Sequence, residues 1–357
     1  KLEMKTNKTL RIVLEIIFAI LAIILIYVVI RYWEQGDVHT GQELTEAYTD
    51  TQIQVSARDE DTTIVLGNRE YQMTHPVRTY LFLGTDASGN EGGTGEEYQG
   101  SMADTLMLLV IDEQEETYGI LQLNRDTITD VPLMQADGSA NASAQLQLCT
   151  AHWYGGNPKQ SCENTVNAVS DMLGGLPIDG YYALSMNAMS KLNEAVDGVK
   201  MTFTEDLTEL DPQMKSGATL TLTDEQAEKL MHARYGMSDD RNVKRMGRQR
   251  LFLDAFLKQV REKQAKDSNF IIKLYDSLHP YSTEDINMNA LTKLINQMGD
   301  FAAKGTYTID GETKLGQKLG DGQEHWEFYM DEDSLDTTIN TLYPLTYIGA
   351  AEEEPEE

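Results

Sequence analysis

Residues 105–111 read TLMLLVI, an uncharged apolar run that is typical of a strand buried inside a sheet. A similar run, TYLFL, occupies residues 79–83, and residues 118–123 (YGILQL) follow with alternating apolar positions. Residues 88–100, between the first two strands in the chain, are rich in glycine and glutamate and are typical of a loop. Three apolar strands in close succession therefore predict the core of a sheet.

Downstream of these strands, apolar residues recur at the spacing of amphipathic helices, in residues 164–173, 184–196, 223–234, 241–263 and 285–301. The third helix opens with Thr223 and has Gln226 three residues later, which is the pattern of a capping box. Strands that alternate with helices favour an α/β fold built in layers. We therefore predict a layered α-β-α domain with a central mixed sheet, preceded by a single transmembrane helix.

The predicted transmembrane helix is an apolar segment, residues 10–32, that is long enough to cross a bilayer. Basic residues precede it and acidic residues follow it, which predicts a cytoplasmic N-terminus and an extracytoplasmic domain. A cleaved signal peptide is the competing interpretation. It would normally have a shorter apolar region and a cleavage site with small residues, which residues 30–33 (IRYW) do not offer. We therefore expect a single-pass protein of the cell membrane.

The chain divides into a short cytoplasmic segment, the membrane anchor, an extracytoplasmic stalk, a compact domain and an acidic tail, in residues 1–9, 10–32, 33–76, 77–345 and 346–357. The stalk is polar and weakly patterned. Within it, residues 62–66 and 69–73 have the pattern of a small hairpin that turns at Gly67 and Asn68. The domain thus has ample length for one large core.

The formal net charge of the chain is -29 at pH 7, which disfavours nonspecific binding of DNA or RNA because the protein repels phosphate backbones. The segment 234–250 (RYGMSDDRNVKRMGRQR) is nevertheless strongly basic. Arg241, Arg245 and Arg248 fall at helical spacing in it and share one face. Such a face suits a phosphate or a pyrophosphate. A solvated helix face that balances nearby acid explains the pattern equally well.

Two aspartates, Asp86 and Asp104, lie at the ends of the first two predicted strands. Carboxylates at adjacent strand ends are able to converge on Mg²⁺, which proteins bind through one or two carboxylates plus substrate phosphates. The pattern alone favours ordinary turn and strand-end aspartates, which is a common role for this residue. After the third strand, Arg125 and Asp126 form either an internal salt bridge or a phosphate contact beyond the strand ends. The residue pattern leaves these alternatives open.

The two cysteines of the chain, Cys149 and Cys162, are plausible disulfide partners in an exported domain. A pair of buried thiols is the alternative, and the exported location favours the disulfide. No cysteine and histidine residues have the spacing of a metal site, so the sequence does not predict zinc.

Short motifs in this chain resemble, in the same order, those of the LytR-CpsA-Psr family of membrane-anchored cell-wall enzymes. The resemblance covers roughly residues 77–345, through LGTD (83–86), ADTLM (103–107), NRDT (124–127), AHWYGG (151–156), NTV (164–166), IDGYY (178–182), VDGV (196–199) and the segment 234–250. It implies a phosphotransferase that takes a glycopolymer from a polyprenyl-pyrophosphate carrier and attaches it to peptidoglycan through a phosphodiester. It also implies an apolar channel for the lipid tail beside the pyrophosphate.

Carried over position by position, the resemblance assigns Mg²⁺, or Mn²⁺ in its place, to Asp86 and Asp104. It assigns the pyrophosphate contacts to the basic and amide residues Arg125, Arg234, Arg245 and Gln249, with Arg241, Arg248 and His232 as further candidates. Asp126 or Asp104 would orient or deprotonate the acceptor hydroxyl, and the sequence does not choose between them.

Three positions at which the family is usually basic are neutral or titratable here, namely Met102, Gln147 and His232. A pyrophosphatase that hydrolyses the same donor is one alternative function. A wall- or lipid-binding protein without activity is another, and the three departures favour it. The presence of both aspartates, together with Arg125 and Arg234, argues against a protein that has lost activity.

Overall fold

The computed structural model describes residues 63–86, 98–135, 137–232 and 241–350. The predicted membrane anchor, most of the predicted stalk, Arg234 and residues 351–357 lie outside these ranges. Within them, no helix has the length and apolar character that crossing a membrane requires. The anchor at residues 10–32 therefore stays a prediction.

The strands of the described residues are β1 (Thr63–Leu66), β2 (Arg69–Met73), β3 (Arg78–Thr85), β4 (Ala103–Asp112), β5 (Thr117–Leu123), β6 (Ile128–Met134), β7 (Ala140–Gln147), β8 (Gly180–Ser185), β9 (Lys200–Thr202), β10 (Thr219–Thr221), β11 (Ser282–Glu284), β12 (Ala302–Tyr307), β13 (Gly311–Gly316), β14 (His325–Met330) and β15 (Leu345–Ala350). The α-helices are α1 (Pro158–Met172), α2 (Met189–Ala195), α3 (Asp224–His232), α4 (Arg241–Gln264), α5 (Phe270–Leu278), α6 (Met288–Asp300) and α7 (Glu332–Leu342). Short 3₁₀ helices cover Leu148–Trp153, Met186–Ala188 and His279–Tyr281.

Six strands form the central sheet, in the order β11-β8-β3-β4-β5-β12. The three apolar strands that the sequence predicts, β3, β4 and β5, lie side by side at its centre. Strands β3 and β5 each pair with β4 in antiparallel orientation. Strands β8 and β12 run parallel to β3 and β5, and β11 is antiparallel to β8. The sheet is therefore mixed, as predicted.

Helices cover both faces of this sheet. Alternate residues of each central strand point to opposite sides, so each strand contributes side chains to a core on either face. Leu106 of β4 belongs to a core that includes residues of α1 and α7. Leu109, on the same strand, faces the other side and belongs to a core that includes Leu294 of α6. The mixed α/β architecture predicted from the sequence is thus confirmed.

A third apolar cluster lies among helices α2, α3, α4 and α5, and α4 contributes Phe252 and Phe256 to it. The capping box is confirmed at the start of α3. The Thr223 backbone N–H donates to Gln226 Oε1 at 3.1 Å, and the Gln226 backbone N–H donates to Thr223 Oγ1 at 3.2 Å. The predicted helix 184–196 is wrong in its first part, because Leu184 belongs to β8 and α2 begins only at Met189.

The compact unit extends further than the predicted boundaries of 77 and 345. Strands β1 and β2 form the small hairpin that the sequence suggested, and β15 pairs with β2 on its other side. Ile64 and Tyr71 of this hairpin are buried in the same core as the central strands. The last part of the predicted stalk and the first part of the predicted tail therefore complete a small sheet of the domain.

The expected disulfide between Cys149 and Cys162 is wrong, since both cysteines are buried thiols that form no disulfide. Cys162 lies on α1, and its Sγ atom is 3.5 Å from Nε2 of His152. Cys149 lies on the 3₁₀ helix after β7, and its Sγ atom is 2.6 Å from Nη2 of Arg125. The fold directs the two thiols at different partners, which their spacing in the chain does not reveal.

Candidate functional site

Asp104 occupies a β-bulge at the end of the central sheet. Gly84 pairs with Thr105 and Thr85 pairs with Ala103, so Asp104 is the extra residue between two paired positions of β4. A bulge redirects a side chain and recurs beside active sites. The carboxylate is 5% exposed and accepts a hydrogen bond from Nη1 of Arg125. The bulge thus places a buried carboxylate against the turn that follows β5.

That turn, at the end of β5, carries Arg125 and Asp126. Asn124 holds it in shape, because its side chain accepts from the Asp126 backbone N–H at 3.0 Å and its carbonyl accepts from Thr127 Oγ1 at 2.6 Å. Arg125 is 4% exposed, and its Nε atom lies 3.5 Å from Oδ1 of Asp126. The conformation of the turn therefore keeps a guanidinium inside the protein, between two carboxylates.

Helix α4 brings a second buried guanidinium to the same carboxylate. Arg245, which is 2% exposed, has Nη1 at 3.6 Å from Oδ2 of Asp104. Its Nη2 atom donates to Oδ1 of Asn242 at 2.7 Å, and Nδ2 of Asn242 donates to Oδ1 of Asn124. Asp104 therefore bridges two arginines, and a pair of asparagines ties α4 to the turn after β5.

Two sulfur atoms complete the surroundings of Arg125. Its Nη2 atom is 2.8 Å from Sδ of Met102 and 2.6 Å from Sγ of Cys149. Burial works against the charge of the guanidinium, but Asp104 and Asp126 stabilise that charge and raise the pKa of Arg125 above its ordinary value. Burial also raises the pKa of the Cys149 thiol, against the influence of Arg125. Arg125 is therefore cationic and Cys149 a neutral thiol at physiological pH.

Asp86 follows β3, and the backbone links it to the same cluster. Its Oδ1 atom accepts from the backbone N–H of Met102 at 3.1 Å, and its own N–H donates to the Met102 carbonyl at 3.0 Å. Met102 lies two residues before Asp104. Two hard carboxylates at neighbouring strand ends suit Mg²⁺ when substrate phosphates complete its coordination. Among the described residues, no group of three or more histidine, cysteine, aspartate or glutamate side chains has the arrangement of a metal site.

Gln249, the other predicted pyrophosphate contact on α4, faces the sheet. It is buried, and its Oε1 atom accepts from Nε2 of Gln122 on β5 at 3.4 Å. Among the described residues, no hydrogen-bond partner exists for Nε2 of Gln249 or Oε1 of Gln122. A buried amide donor and a buried amide acceptor therefore lie ready for a polar ligand at this end of β5.

The sheet face on the Gln122 side is apolar but not closed. Tyr80 and Phe82 on β3 and Ile120 on β5 are only partly buried there, although both strands lie in the middle of the sheet. Alternation along β5 places Ile120 and Gln122 on the same face. An apolar surface that is partly open to solvent thus leads up to the amide pair.

Several predicted residues do not join the cluster. Arg248 is fully buried, but its Nε atom donates to the Leu230 carbonyl at 3.2 Å, so it links α4 to α3. Burial lowers its pKa. His232 ends α3, and its side chain makes no hydrogen bond or ion pair to any residue that the structure describes. Gln147 donates to the Trp326 carbonyl at 2.6 Å. Arg234 and the side chain of Arg241 lie outside the part of the chain that the structure describes.

Sequence reasoning did not identify Asn124, Asn242, Gln122 and Cys149 as members of the site. Asn124 and Cys149 lie within two residues of recognised positions or motifs, but nothing in the pattern distinguishes them from ordinary loop residues. Asn242 and Gln122 are found only through the packing of α4 on β5. Their roles depend on long-range contacts, which spacing along one segment does not encode.

The family model described as "LytR_cpsA_psr family" matches residues 40–343. A curated relative from Halalkalibacterium halodurans, polyisoprenyl-teichoic acid--peptidoglycan teichoic acid transferase TagU, is 27% identical over 165 residues, which are 46% of this chain and 49% of the relative. The chain therefore spans about half the length of that relative.

Two crystal structures are similar in fold. TagV of B. subtilis is 20% identical, with a TM-score of 0.56 over 76% of this chain and 97% of the other. Protein gbs0355 of Streptococcus agalactiae is 18% identical, with a TM-score of 0.57 over 74% of this chain and 86% of the other. At these identities the likeness concerns the fold.

Proposed function

The chain belongs to the LytR-CpsA-Psr family, and on that premise we propose that it transfers a glycopolymer from a polyprenyl-pyrophosphate carrier to peptidoglycan. The name of the H. halodurans relative describes the transfer of teichoic acid from a polyisoprenyl carrier to peptidoglycan, and it supports the same class of donor and acceptor. The observation that carries the proposal is the buried cluster of Arg125, Asp104 and Arg245, where two cations share one carboxylate.

In the proposed reaction, an acceptor hydroxyl oxygen forms a bond to the phosphorus that carries the glycan. The bond from that phosphorus to the bridging oxygen breaks and its electron pair leaves with polyprenyl phosphate, so the product is a glycan–peptidoglycan phosphodiester. The hydroxyl proton passes to a carboxylate. We assign this role to Asp126, because both oxygens of Asp104 face guanidiniums whereas the Asp126 side chain is 16% exposed.

The two buried arginines supply the electrostatic part of the reaction. Charge develops on the leaving phosphate, and preorganised donors that need not move stabilise it best. Arg125 and Arg245 are held in place by Asp104 and by the asparagines of the turn and of α4. We expect each to contact a phosphate oxygen through charge-assisted hydrogen bonds. Nε2 of Gln249 adds a neutral donor beside them.

We propose that Asp86 and Asp104 hold Mg²⁺ together with the pyrophosphate of the donor. When bound, the ion supplies charge neutralisation of the phosphate oxygens. The two carboxylates fit this role because they are hard ligands at adjacent strand ends. Their small number fits an ion that binds with substrate rather than one that stays in the protein.

The partly open apolar face of the sheet is proposed to hold the prenyl chain. Phe82 and Ile120 lie on the same face of the sheet as Gln122, whose amide meets Gln249. A lipid tail along this face would carry its pyrophosphate to the end of β5, where the cluster begins. We further propose that residues 10–32 tether the domain to the outer side of the cell membrane, where both lipid donor and wall acceptor are found.

The test uses the full-length chain in detergent with a synthetic lipid-pyrophosphate oligosaccharide. Products are followed by mass spectrometry, with and without Mg²⁺ and with and without a muropeptide acceptor. The wild type is expected to form a glycan–muropeptide phosphodiester only when both are present. Arg125→Gln and Asp104→Asn are expected to lower the rate about ten- to hundredfold, the effect of losing one charge-assisted contact in the transition state.

The matched control is Lys258→Gln, which removes a cation from an exposed position of α4 and should leave the rate unchanged. Glycan phosphate released in the absence of acceptor would show a pyrophosphatase instead of a transferase. A turnover rate of Asp104→Asn equal to that of the wild type would contradict the assignment of the cluster. Mg²⁺-independent transfer would contradict the metal proposal alone.

A further inference from the structure

A groove of about 580 Å³ lies on the side of α4 that faces away from the cluster. Side chains of both charges and two hydroxyls line it, from α4, the segment after β9 and strand β12, namely Lys244, Arg250, Glu205, Asp254, Thr204 and Thr306, together with Gly247 and Leu251. None of the functional residues described above belongs to this lining. The groove is therefore separate from the arginine cluster and adjacent to it along one helix.

The positions of α4 and β12 show how close the groove lies to the cluster. On α4, Arg245 and Gln249 are four residues apart on the inner side, and Gly247 falls between them on the opposite side. On β12, Thr306 pairs with Ile120 of β5, two residues before Gln122. Since Gln122 contacts Gln249, the groove opens at the sheet edge next to the amide pair. A ligand in it is able to extend a polar group towards the cluster.

Gly247 makes room in the groove. A Cβ atom at this position would have no heavy atom within 4 Å outside its own segment, so the space above the glycine is open. Glycine in the interior of a helix is destabilising relative to alanine. Nothing in the packing of α4 requires a glycine here, and its effect is to keep the floor of the groove free.

The charges of the groove indicate the chemistry of its ligand. The side chain of Arg250 makes no hydrogen bond or ion pair to any residue that the structure describes, and Asp254 follows it by one turn. A lining with two cations and two acids does not suit a polyphosphate, which carries charge of one sign. It does not suit a neutral glycan either, which offers no charged group to pair with these side chains. It suits a ligand that carries carboxylate and ammonium groups together.

We propose that this groove binds the peptide stem of the peptidoglycan acceptor, with a carboxylate of the peptide at Arg250 and Lys244. This inference rests on the proposed function, since it names the site of the acceptor in the same reaction. The sugar attached to the peptide then lies toward the Gln122–Gln249 pair, and its hydroxyl toward Arg125 and Asp126. The two faces of α4 thus serve the two substrates, the inner face the donor and the outer face the acceptor.

The test measures binding of a muropeptide to the full-length chain in detergent by titration calorimetry, without donor. Two probes are compared, a muropeptide with free carboxylates and the same molecule with its carboxylates amidated. The wild type is expected to bind the free acid about five- to tenfold more tightly, the scale of a partly exposed charge-assisted contact. Arg250→Gln is expected to remove most of this difference, while Lys258→Gln, on the same helix, keeps it.

A second variant tests the groove by shape. Gly247→Trp fills it and is expected to weaken binding of both probes at least about tenfold, with circular dichroism to check the fold. Equal binding by Gly247→Trp and wild type, or no discrimination between the probes by the wild type, overturns the proposal. Because no donor is present, these outcomes are independent of the transfer assay. If the wild type transfers the glycan but Gly247→Trp binds the muropeptide as well as the wild type does, the groove proposal fails and the proposed function stands.

Discussion

Arg125 and Cys149 contact each other twice. The Cys149 backbone N–H donates to the Arg125 carbonyl at 2.9 Å, and the Cys149 Sγ atom lies 2.6 Å from Nη2 of Arg125. The first contact fixes the turn after β5 against the 3₁₀ helix after β7, and the second places a weak acceptor beside the guanidinium. The thiol is thus part of the packing around the cation, where a disulfide would remove it.

This arrangement predicts that both cysteines stay reduced and unreactive in the native protein. Burial raises the pKa of the Cys149 thiol, and the thiolate is the species that reacts with alkylating agents. Iodoacetamide is therefore expected to leave Cys149 and Cys162 unmodified in the native state and to modify both after denaturation. Intact mass spectrometry under non-reducing conditions provides the readout. A native mass two hydrogens lower, or fast native alkylation, would contradict the structure.

The bridging position of Asp104 predicts a large effect on stability as well as on turnover. Asp104→Ala leaves Arg125 and Arg245 buried without their shared carboxylate. Breaking a buried ion pair by removing one partner destabilises a protein by about 3–5 kcal/mol. Urea unfolding of the variant should show a loss of this size. Asp86→Asn serves as the comparison, because an asparagine oxygen is still able to accept from the Met102 N–H, and its loss should be much smaller.

Two glycines with opposite surroundings predict opposite effects of alanine. Gly247→Ala adds a Cβ that meets no atom within 4 Å in the interior of α4, and it should raise the free energy of unfolding by about 0.5–1 kcal/mol. Gly174 has a φ of +73°, and a Cβ there would lie 2.2 Å from the Val65 carbonyl oxygen. Gly174→Ala should therefore destabilise the protein. Thermal unfolding checks both, and a lower midpoint for Gly247→Ala would show that α4 needs its glycine.

Much of the fold follows from local patterns in the sequence. The apolar runs of β3, β4 and β5 mark the central strands of the sheet, and the Thr223 capping box marks the start of a helix. The boundary at residue 77 differs because long-range contacts join the hairpin to the domain: β2 pairs with β15, and Ile64 of β1 is buried in the core of the central strands. The sequence predicts a helix at Leu184, where the structure has a strand, because a short apolar run does not separate strand from helix.

The candidate site was predictable where the chemistry is local and unusual. Asp104, Arg125 and Arg245 are charged residues in or beside apolar elements, and the structure brings them together. Arg248 shares the helix and the charge of Arg245, yet it contacts the Leu230 carbonyl. Helical spacing defines a face to within about a quarter of a turn, and it does not tell which neighbour each residue of that face meets. Only the packing of α3 and α4 separates Arg248 from Arg245.

The pair of His75 and Asp112 predicts an acid-dependent part of the stability. His75 Nε2 lies 2.8 Å from Oδ2 of Asp112, whose side chain is buried. Burial opposes ionisation of this carboxyl, but hydrogen bonds from the Glu115 N–H and from His75 hold its pKa below the ordinary 3.8. A carboxyl with a lowered folded-state pKa contributes stability above its unfolded pKa, and this contribution is lost as the pH falls through the folded value.

Asp112→Asn should therefore be less stable than the wild type near neutral pH, and the difference should shrink as the pH falls below about 4. Urea midpoints of both proteins along a pH series provide the measurement. Asp300→Asn is the matched control, because Asp300 is exposed and makes no hydrogen bond or ion pair to the residues that the structure describes. Its difference from the wild type should stay small throughout. If the difference in urea midpoint between Asp112→Asn and the wild type stays constant as the pH falls below about 4, the carboxyl contributes to stability by its shape and not by its charge.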